Sequence, residues 1–167
     1  MPTPRVRPVP SEFGAIVVQL VVHDAAAAIE FYKRAFGAGE LFRNQYEGDS
    51  RVFHCELLID GGRIMVQDEF PERRLVSPRT LGGSPATIHL YVTDAEATYQ
   101  DAIDAGATAI SPVEERFWGV VSGALEDPFG HRWIIATRVE DLGPDEIAER
   151  AAGVAPAKRL PIGKADR

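Results

Sequence analysis

Two side chains that could bind a metal ion or a ligand occupy equivalent places in two similar segments. Gln19 begins Gln19-Leu-Val-Val-His-Asp24, and His89 begins His89-Leu-Tyr-Val-Thr-Asp94. A histidine imidazole can act as a general base, bind a metal ion or hydrogen-bond, and a glutamine amide can donate and accept hydrogen bonds. Three interpretations follow: a pair of metal ligands, a pair that hydrogen-bonds a small molecule, or two polar core residues with local partners.

Few other residues could add to such a site. His54, Glu56 and Gln67 are the plausible further metal ligands, and a bound metal normally needs three or four protein ligands. Cys55 is the single cysteine, and nothing near it in sequence would activate it as a nucleophile. Phe117-Trp118, beside Gly119, is the best candidate for stacking on a planar ligand.

The elements that must position these residues follow from an internal repeat. Asp24 and Asp94 each follow an apolar strand-like run and precede an alanine-rich segment, so each is predicted to cap a helix. In the first helix Ile29, Tyr32 and Phe36 recur at helical spacing and define one buried face. A glycine after each helix favours its termination.

Strand-like segments follow each helix. Three lie in the first half and three in the second, at residues 41–46, 51–59, 63–67, 109–113, 117–125 and 133–137. Asp60-Gly61-Gly62 predicts a hairpin turn, and Asp127-Pro-Phe-Gly130 predicts a turn before the last strand. Each half therefore reads strand, helix, strand, strand, strand, which predicts an α+β fold of two βαβββ repeats.

One domain accounts for most of the chain. Four prolines in the first ten residues predict a flexible N-terminal arm over residues 1–12. The domain is expected over 13–152, with half one at 13–69, a linker at 70–85, half two at 86–138 and a C-terminal helix at 144–152. Residues 153–167 are expected to form a flexible tail.

The composition argues against nucleic-acid and membrane binding and favours a location in the cytoplasm. The chain has 167 residues, a net charge of -7 and a pI near 5.1, and its basic residues are scattered, so nucleic acid and anionic membranes are not expected as partners. The N-terminus lacks the apolar core of a signal peptide, and one cysteine permits no intrachain disulfide. These features predict a cytoplasmic protein.

Three stretches resemble one known family. They are Asp24 through Phe36-Gly37, Asp94 through Ala105-Gly106-Ala107, and Trp118-Gly119 followed by Glu126-Asp-Pro-Phe-Gly-His-Arg-Trp133. Together they resemble the vicinal oxygen chelate superfamily, which includes glyoxalase I, extradiol dioxygenases and bleomycin-binding proteins. The last stretch is similar to its PhnB-like branch. The resemblance implies a curved mixed sheet around a small-molecule cavity, and family members are often homodimers.

The resemblance also implies four places for metal ligands. They correspond to Val17, Thr87, Ile134 and a position near Met65 to Gln67. Valine and isoleucine offer no donor atom to a metal, and a lone threonine is a poor ligand. We therefore expect no cofactor and predict a metal-independent protein that binds an aromatic or drug-like small molecule. The ligand-binding residues are predicted to be Val17, Gln19, Met65, Gln67, Thr87, His89, Phe117, Trp118 and Ile134.

Two alternatives remain open. In the first, the chain is a lyase, isomerase or dioxygenase that uses His89 in acid–base catalysis, or that holds Zn, Ni, Mn or Fe at a displaced site formed by Gln19, Glu56 and His89. In the second, it is a structural or regulatory dimer without a ligand.

Overall fold

The first half of the chain forms a four-stranded sheet covered by one helix. The computed structural model describes residues 8–10 and 15–153. Its first sheet has the strand order β1-β4-β3-β2, with β1 parallel to β4 and the other pairs antiparallel. The elements are β1 (Val18–Val22), α1 (Ala25–Phe36), β2 (Gly39–Gln45), β3 (Val52–Ile59) and β4 (Gly62–Asp68).

The second half repeats this arrangement. A 3-10 turn at Pro71–Arg73 and the short helix α2 (Pro78–Leu81) connect the two halves. The second sheet has the equivalent order β5-β8-β7-β6, so the predicted βαβββ units are confirmed, as two separate four-stranded sheets. Its elements are β5 (Thr87–Tyr91), α3 (Ala95–Asp104), β6 (Thr108–Arg116), β7 (Val120–Glu126) and β8 (Arg132–Arg138), followed by α4 (Pro144–Gly153).

Both helices begin at the predicted aspartates. The Asp24 carboxylate accepts a hydrogen bond from the backbone N–H of Ala27 at 2.9 Å, and Asp94 does the same for Ala97 at 3.0 Å. At the end of α1, Gly37 adopts the left-handed conformation (φ 63°) that the glycine predicted. The repeat in sequence is therefore a repeat of capped helices.

The last strand of each half also fastens the start of its helix. The buried Asp68 carboxylate accepts hydrogen bonds from the backbone N–H groups of Ala25, at 2.8 Å, and Val52, at 2.6 Å. In the second half the Thr137 hydroxyl oxygen accepts from the N–H of Ala95 at 2.8 Å. Both oxygens of Asp68 thus bond to backbone, and the side chain holds α1 against its sheet.

A buried carboxylate joins the two halves. Asp127, in the turn before β8, is 1% exposed, and its Oδ2 atom accepts hydrogen bonds from Tyr32 Oη, at 2.7 Å, and Trp133 Nε1, at 2.9 Å. Its Oδ1 atom accepts from the backbone N–H groups of Phe129 and His131, both at 2.9 Å. Burial, followed by the nearby Asp127 charge, raises the pKa of Tyr32 well above its ordinary value, so Tyr32 stays a donor.

The core lies between the helices and one face of each sheet. α1 and α3 contact each other, and the aromatic rings of Tyr32, Phe36 and Trp133 meet between the halves, with centroids 4.7–6.0 Å apart. Cys55 is fully buried in this core, where burial and then the Glu40 charge raise the pKa of its thiol to about 11. Such a thiol is a core residue and not a nucleophile.

Most of the predicted arm and residues 154–167 of the predicted tail lie outside the described residues. In the connection, the Glu69 carboxylate accepts hydrogen bonds from Ser77 N and Thr80 Oγ1, which lower its pKa and fasten α2. Within the described part of the chain, no helix is long and apolar enough to cross a membrane.

Replacing Asp127 with asparagine should destabilise the fold strongly. The asparagine NH₂ group would face the N–H groups of Phe129 and His131 in one orientation and that of Trp133 in the other, so at least one buried donor loses its acceptor, and we expect a loss of about 3–5 kcal/mol in the free energy of unfolding. Urea denaturation followed by circular dichroism measures this. Glu126→Gln, at the exposed neighbour, is the control and should change stability by less than about 0.5 kcal/mol. Equal stability of both variants would contradict the role given to Asp127.

The raised pKa of Cys55 predicts a pH-dependent stability. A group whose pKa is higher in the folded than in the unfolded chain contributes stability that is intact below the unfolded value, here 9.0, and that is lost as pH rises to the folded value of about 11. The wild type should therefore lose on the order of 2 kcal/mol more than Cys55→Ala between pH 8 and pH 11 in urea titrations. Parallel pH profiles for the two proteins would contradict this.

Candidate functional site

The second sheet has one face buried under helices and one open face. Along β7 and β8, Leu125, Trp133 and Ile135 point into the core, so their sequence neighbours point the other way. On the open side Ala124 pairs with Ile134, and Ser122 pairs with Ala136. These small and aliphatic side chains form the floor of a depression in the sheet.

The depression is a cavity of about 250 Å³. Four strands and the β6–β7 turn supply its walls, and every lining residue belongs to the second half of the chain. The lining combines aromatic, aliphatic, hydroxyl and cationic side chains with one imidazole: His89, Tyr91, Ser111, Arg116, Trp118, Val120, Ser122, Gly123, Ala124, Arg132, Ile134 and Ala136.

The imidazole of His89 lies on the floor of this cavity. On the parallel pair β5–β8, His89 is in register with Ile134, and Tyr91 with Ala136. Among the described residues, no side chain hydrogen-bonds the His89 ring or orients it. His89 can therefore donate to or accept from a bound molecule without first breaking a protein hydrogen bond.

The indole of Trp118 forms one wall. The sequence suggested a strand from Phe117 onward, but Phe117, Trp118 and Gly119 form the turn between β6 and β7 because Gly119 has a φ of 77°. A Cβ atom at Gly119 would come within 3.0–3.1 Å of Glu140 and Leu142, so the close contacts and the positive φ both favour glycine here. Trp118 is 41% exposed and lines the cavity, whereas Phe117 packs edge-on against it, 4.8 Å between centroids, and does not line it.

The open face of the first sheet carries polar side chains that bond to one another. Gln19 Nε2 donates to Gln67 Oε1 in a short hydrogen bond, while Gln67 is 4% exposed and its own Nε2 has no partner. On β3, Glu56 accepts from Arg63 at 3.2 Å and lies 3.3 Å from His54 Nε2. This face is therefore a polar network separate from the cavity.

The structure brings only some of the predicted site residues together. The cavity brings together His89, Trp118 and Ile134. Gln19, Met65 and Gln67 lie on adjacent strands of the first sheet, with Val17 just before β1, and none of them lines the cavity. Thr87 begins β5 and is exposed outside the lining. Gln19 and His89, equivalent in sequence, are thus on different sheets and make no contact.

Within one chain, the described residues bring no set of metal ligands together. No group of three or more His, Cys, Asp or Glu side chains that could hold a metal occurs within residues 15–153. His89 is flanked by the aliphatic Ile134, and Glu56 is already paired with the Arg63 guanidinium, which repels a cation. The set Gln19, Glu56 and His89 is therefore divided between the sheets.

Sequence reasoning missed two cationic residues of the cavity, Arg116 and Arg132. Arg132 stands two residues before Ile134, and the strand period of two places both side chains on one face, so the signal was present. Arg116 reaches the cavity because its Nε and Nη2 atoms donate to Ser122 Oγ and O, at 3.2 and 3.0 Å. That contact joins the adjacent strands β6 and β7 and depends on their register, which the sequence alone did not give.

Similar proteins agree with this architecture. An uncharacterized protein of Mycobacterium bovis is 43% identical over 136 residues, which covers 80% of this chain and 89% of that protein. The crystallised Arabidopsis thaliana gene product is 33% identical, with a TM-score of 0.57 over 74% of this chain and 98% of its own.

Two more distant solved structures share the fold. TioX from Micromonospora has a TM-score of 0.59 and 23% identity over 78% of this chain and all of its own. A PhnB protein from Bacillus cereus has a TM-score of 0.55 and 16% identity, covering 74% and 98% of the two chains. The family model described as glyoxalase/bleomycin resistance protein/dioxygenase superfamily matches residues 14–135. The chain therefore belongs to the glyoxalase/bleomycin resistance protein/dioxygenase superfamily.

Proposed function

We propose that this protein is a cytoplasmic, metal-independent small-molecule binding protein that holds an aromatic or drug-like compound in the cavity of its second half. The observation that carries the proposal is the lining of that cavity. An indole and a phenol stand over an aliphatic floor, with a few polar groups that can fix the orientation of a ligand. Small-molecule sites commonly have this composition.

The size of the cavity sets the size of the ligand. At about 250 Å³ it lies slightly below the usual range for drug-sized ligands, about 300–1,000 Å³, and suits a compound of one or two rings. Trp118 and Tyr91 are 41% and 58% exposed, so ring surface remains for a ligand to cover. Covering aromatic surface with a planar compound is favourable through both apolar burial and stacking.

We also propose that the protein works as a homodimer. The first sheet exposes Phe42 (52%) and Leu58 (37%), and the second exposes Tyr91 and Trp118 beside the cavity. Apolar side chains clustered on an open sheet face are typical of contact sites. In a twofold dimer, these apolar side chains of one subunit would be buried against its partner.

The alternative is an enzyme of the same superfamily, a lyase, isomerase or dioxygenase that acts through His89 as an acid or base. The observation that favours it is the His89 imidazole, which faces the cavity without a protein partner. A general base is normally oriented by a third group, and no described side chain hydrogen-bonds the His89 ring, which is in register with the aliphatic Ile134. The lack of an orienting group therefore favours binding over catalysis.

The binding proposal predicts saturable binding of a neutral planar probe without metal. In isothermal titration calorimetry, 1-naphthamide should bind equally well before and after treatment with a chelator. Trp118→Ala should weaken binding about tenfold because the wall that stacks on the ring is lost.

Tyr46→Ala is the matched control, since this half-exposed ring packs on Phe53 outside the cavity. It should leave affinity unchanged. Stoichiometric metal in protein purified without chelator, lost in His89→Ala, would overturn the binding proposal and favour the enzyme.

The dimer proposal predicts a change of mass on charging the first sheet. Light scattering after size-exclusion chromatography should give twice the 18.2 kDa of one chain for the wild type. Leu58→Lys should give monomer because a charge would be buried in the contact. Leu81→Lys, at a residue 63% exposed on α2, is the control and should stay dimeric. A wild type that elutes as monomer at all concentrations would contradict the dimer.

A further inference from the structure

The charge of the cavity differs in sign from the charge of the protein. The chain has 25 acidic and 18 basic residues and a net charge of -7. Within the described residues, the cavity lining includes two arginines, Arg116 and Arg132, and no carboxylate. Because acidic residues outnumber basic ones in the whole chain, a cavity lined by arginines and no carboxylate has a charge opposite to that of the protein.

We propose that the ligand is a planar organic anion whose carboxylate or similar group pairs with Arg116 while its ring lies against Trp118. This inference rests on the proposed binding function and names the chemical class of its ligand. It follows from the position, the partners and the surroundings of the arginines.

Arg116 is held in place with donors to spare. Its Nε and Nη2 atoms donate to Ser122 Oγ and O, and its Nη1 atom donates to Glu114 Oε2 at 3.2 Å. A guanidinium has five N–H donors, so these three hydrogen bonds leave two for a ligand. The side chain is 25% exposed and is fixed by Ser122, so little side-chain entropy is lost when an anion binds.

The acidic neighbour only partly offsets this charge. Glu114 has a side chain that is 59% exposed, so water screens its attraction for Arg116, and it does not line the cavity. Glu114 therefore competes weakly with an anionic ligand for the guanidinium. Removing the Glu114 carboxylate should therefore strengthen anion binding. If Arg116 had only a structural role, removing Glu114 would leave the affinity for an anion unchanged.

Arg132 provides a second positive charge at the other end of the floor. It pairs in register with Thr87 and with Glu126, and its guanidinium makes no hydrogen bond or ion pair with a described residue, Glu126 included. Arg132 and Ala136, the partner of Ser122, are four residues apart, a strand distance of about 13 Å. The cavity is therefore positive at both ends and apolar between them, which suits an elongated planar anion.

Three probes with one ring system test the charge preference. They are 1-naphthoate, the neutral 1-naphthamide and the cationic 1-naphthylmethylammonium, each titrated calorimetrically into the full chain at low salt. A charge-assisted pair should make naphthoate bind about 10- to 100-fold more tightly than the amide, with the cation weakest. The preference should shrink as salt is added.

Variants assign the preference to Arg116. Arg116→Gln should remove most of the preference for naphthoate and leave the affinity for naphthamide within about twofold, and Arg116→Lys should restore part of it. Glu114→Gln should raise the naphthoate affinity a few-fold. Arg34→Gln, which removes an equal charge from the exposed side of α1, should change neither affinity. Thermal unfolding of each variant verifies that the fold is intact.

The outcomes separate the two proposals. Equal affinity for naphthoate and naphthamide, or a preference that survives in Arg116→Gln, overturns the anion proposal and leaves the binding function standing. Absence of binding by all three probes overturns both. A preference for naphthoate that disappears in Arg116→Gln and rises in Glu114→Gln supports the anion proposal.

Discussion

The hydrogen bond from Tyr32 to the buried Asp127 carboxylate ties the first half of this molecule to the second, and three bonds from within the second half hold that carboxylate in place. The ionised group is 1% exposed, and burying such a charge is costly unless all of its acceptor sites are used. Tyr32 from the first half and Trp133 from the second donate to the same oxygen, 2.7 and 2.9 Å away. A shift of one half against the other would break the bond from Tyr32, so this contact fixes α1 against the turn before β8.

That constraint determines which sheet faces are available for function. α1 and α3 pack against each other and against one face of each sheet. Every second strand residue therefore points into the core, where its apolar side chain stabilises the fold. The opposite faces have no covering element among the described residues. One of them forms a polar network around Gln67 and Glu56, and the other forms the cavity around His89 and Trp118.

Much of the fold was predictable because its signals are local. Asp24 and Asp94 cap helices through contacts three residues away, and Asp60-Gly61 forms its turn with positive φ angles at both positions. The site was less predictable because its residues meet across strands. His89 was found from the internal repeat, Trp118 from the aromatic pair beside Gly119, and Ile134 from the family's ligand positions. Arg116 enters the cavity through a bond to Ser122 on the neighbouring strand. Gln19 and His89 share a sequence position yet lie on different sheets.

The asymmetry between the two open faces explains how a duplicated unit can carry a single site. Both halves keep the same helix cap and the same anchor from the last strand, Asp68 in one and Thr137 in the other. Those contacts lie on the face of each sheet that packs against its helix. They therefore do not limit which residues can occupy the opposite, open face. There most of the carboxylate, amide and guanidinium groups of the first half bond to one another, and only the buried Gln67 Nε2 among the described residues is left without a partner. The second half has an unpaired imidazole and a guanidinium with free donors above aliphatic residues. Polar groups already bonded to each other gain little from a ligand, and unpaired groups over an apolar floor gain more. The second half is therefore the half built to bind.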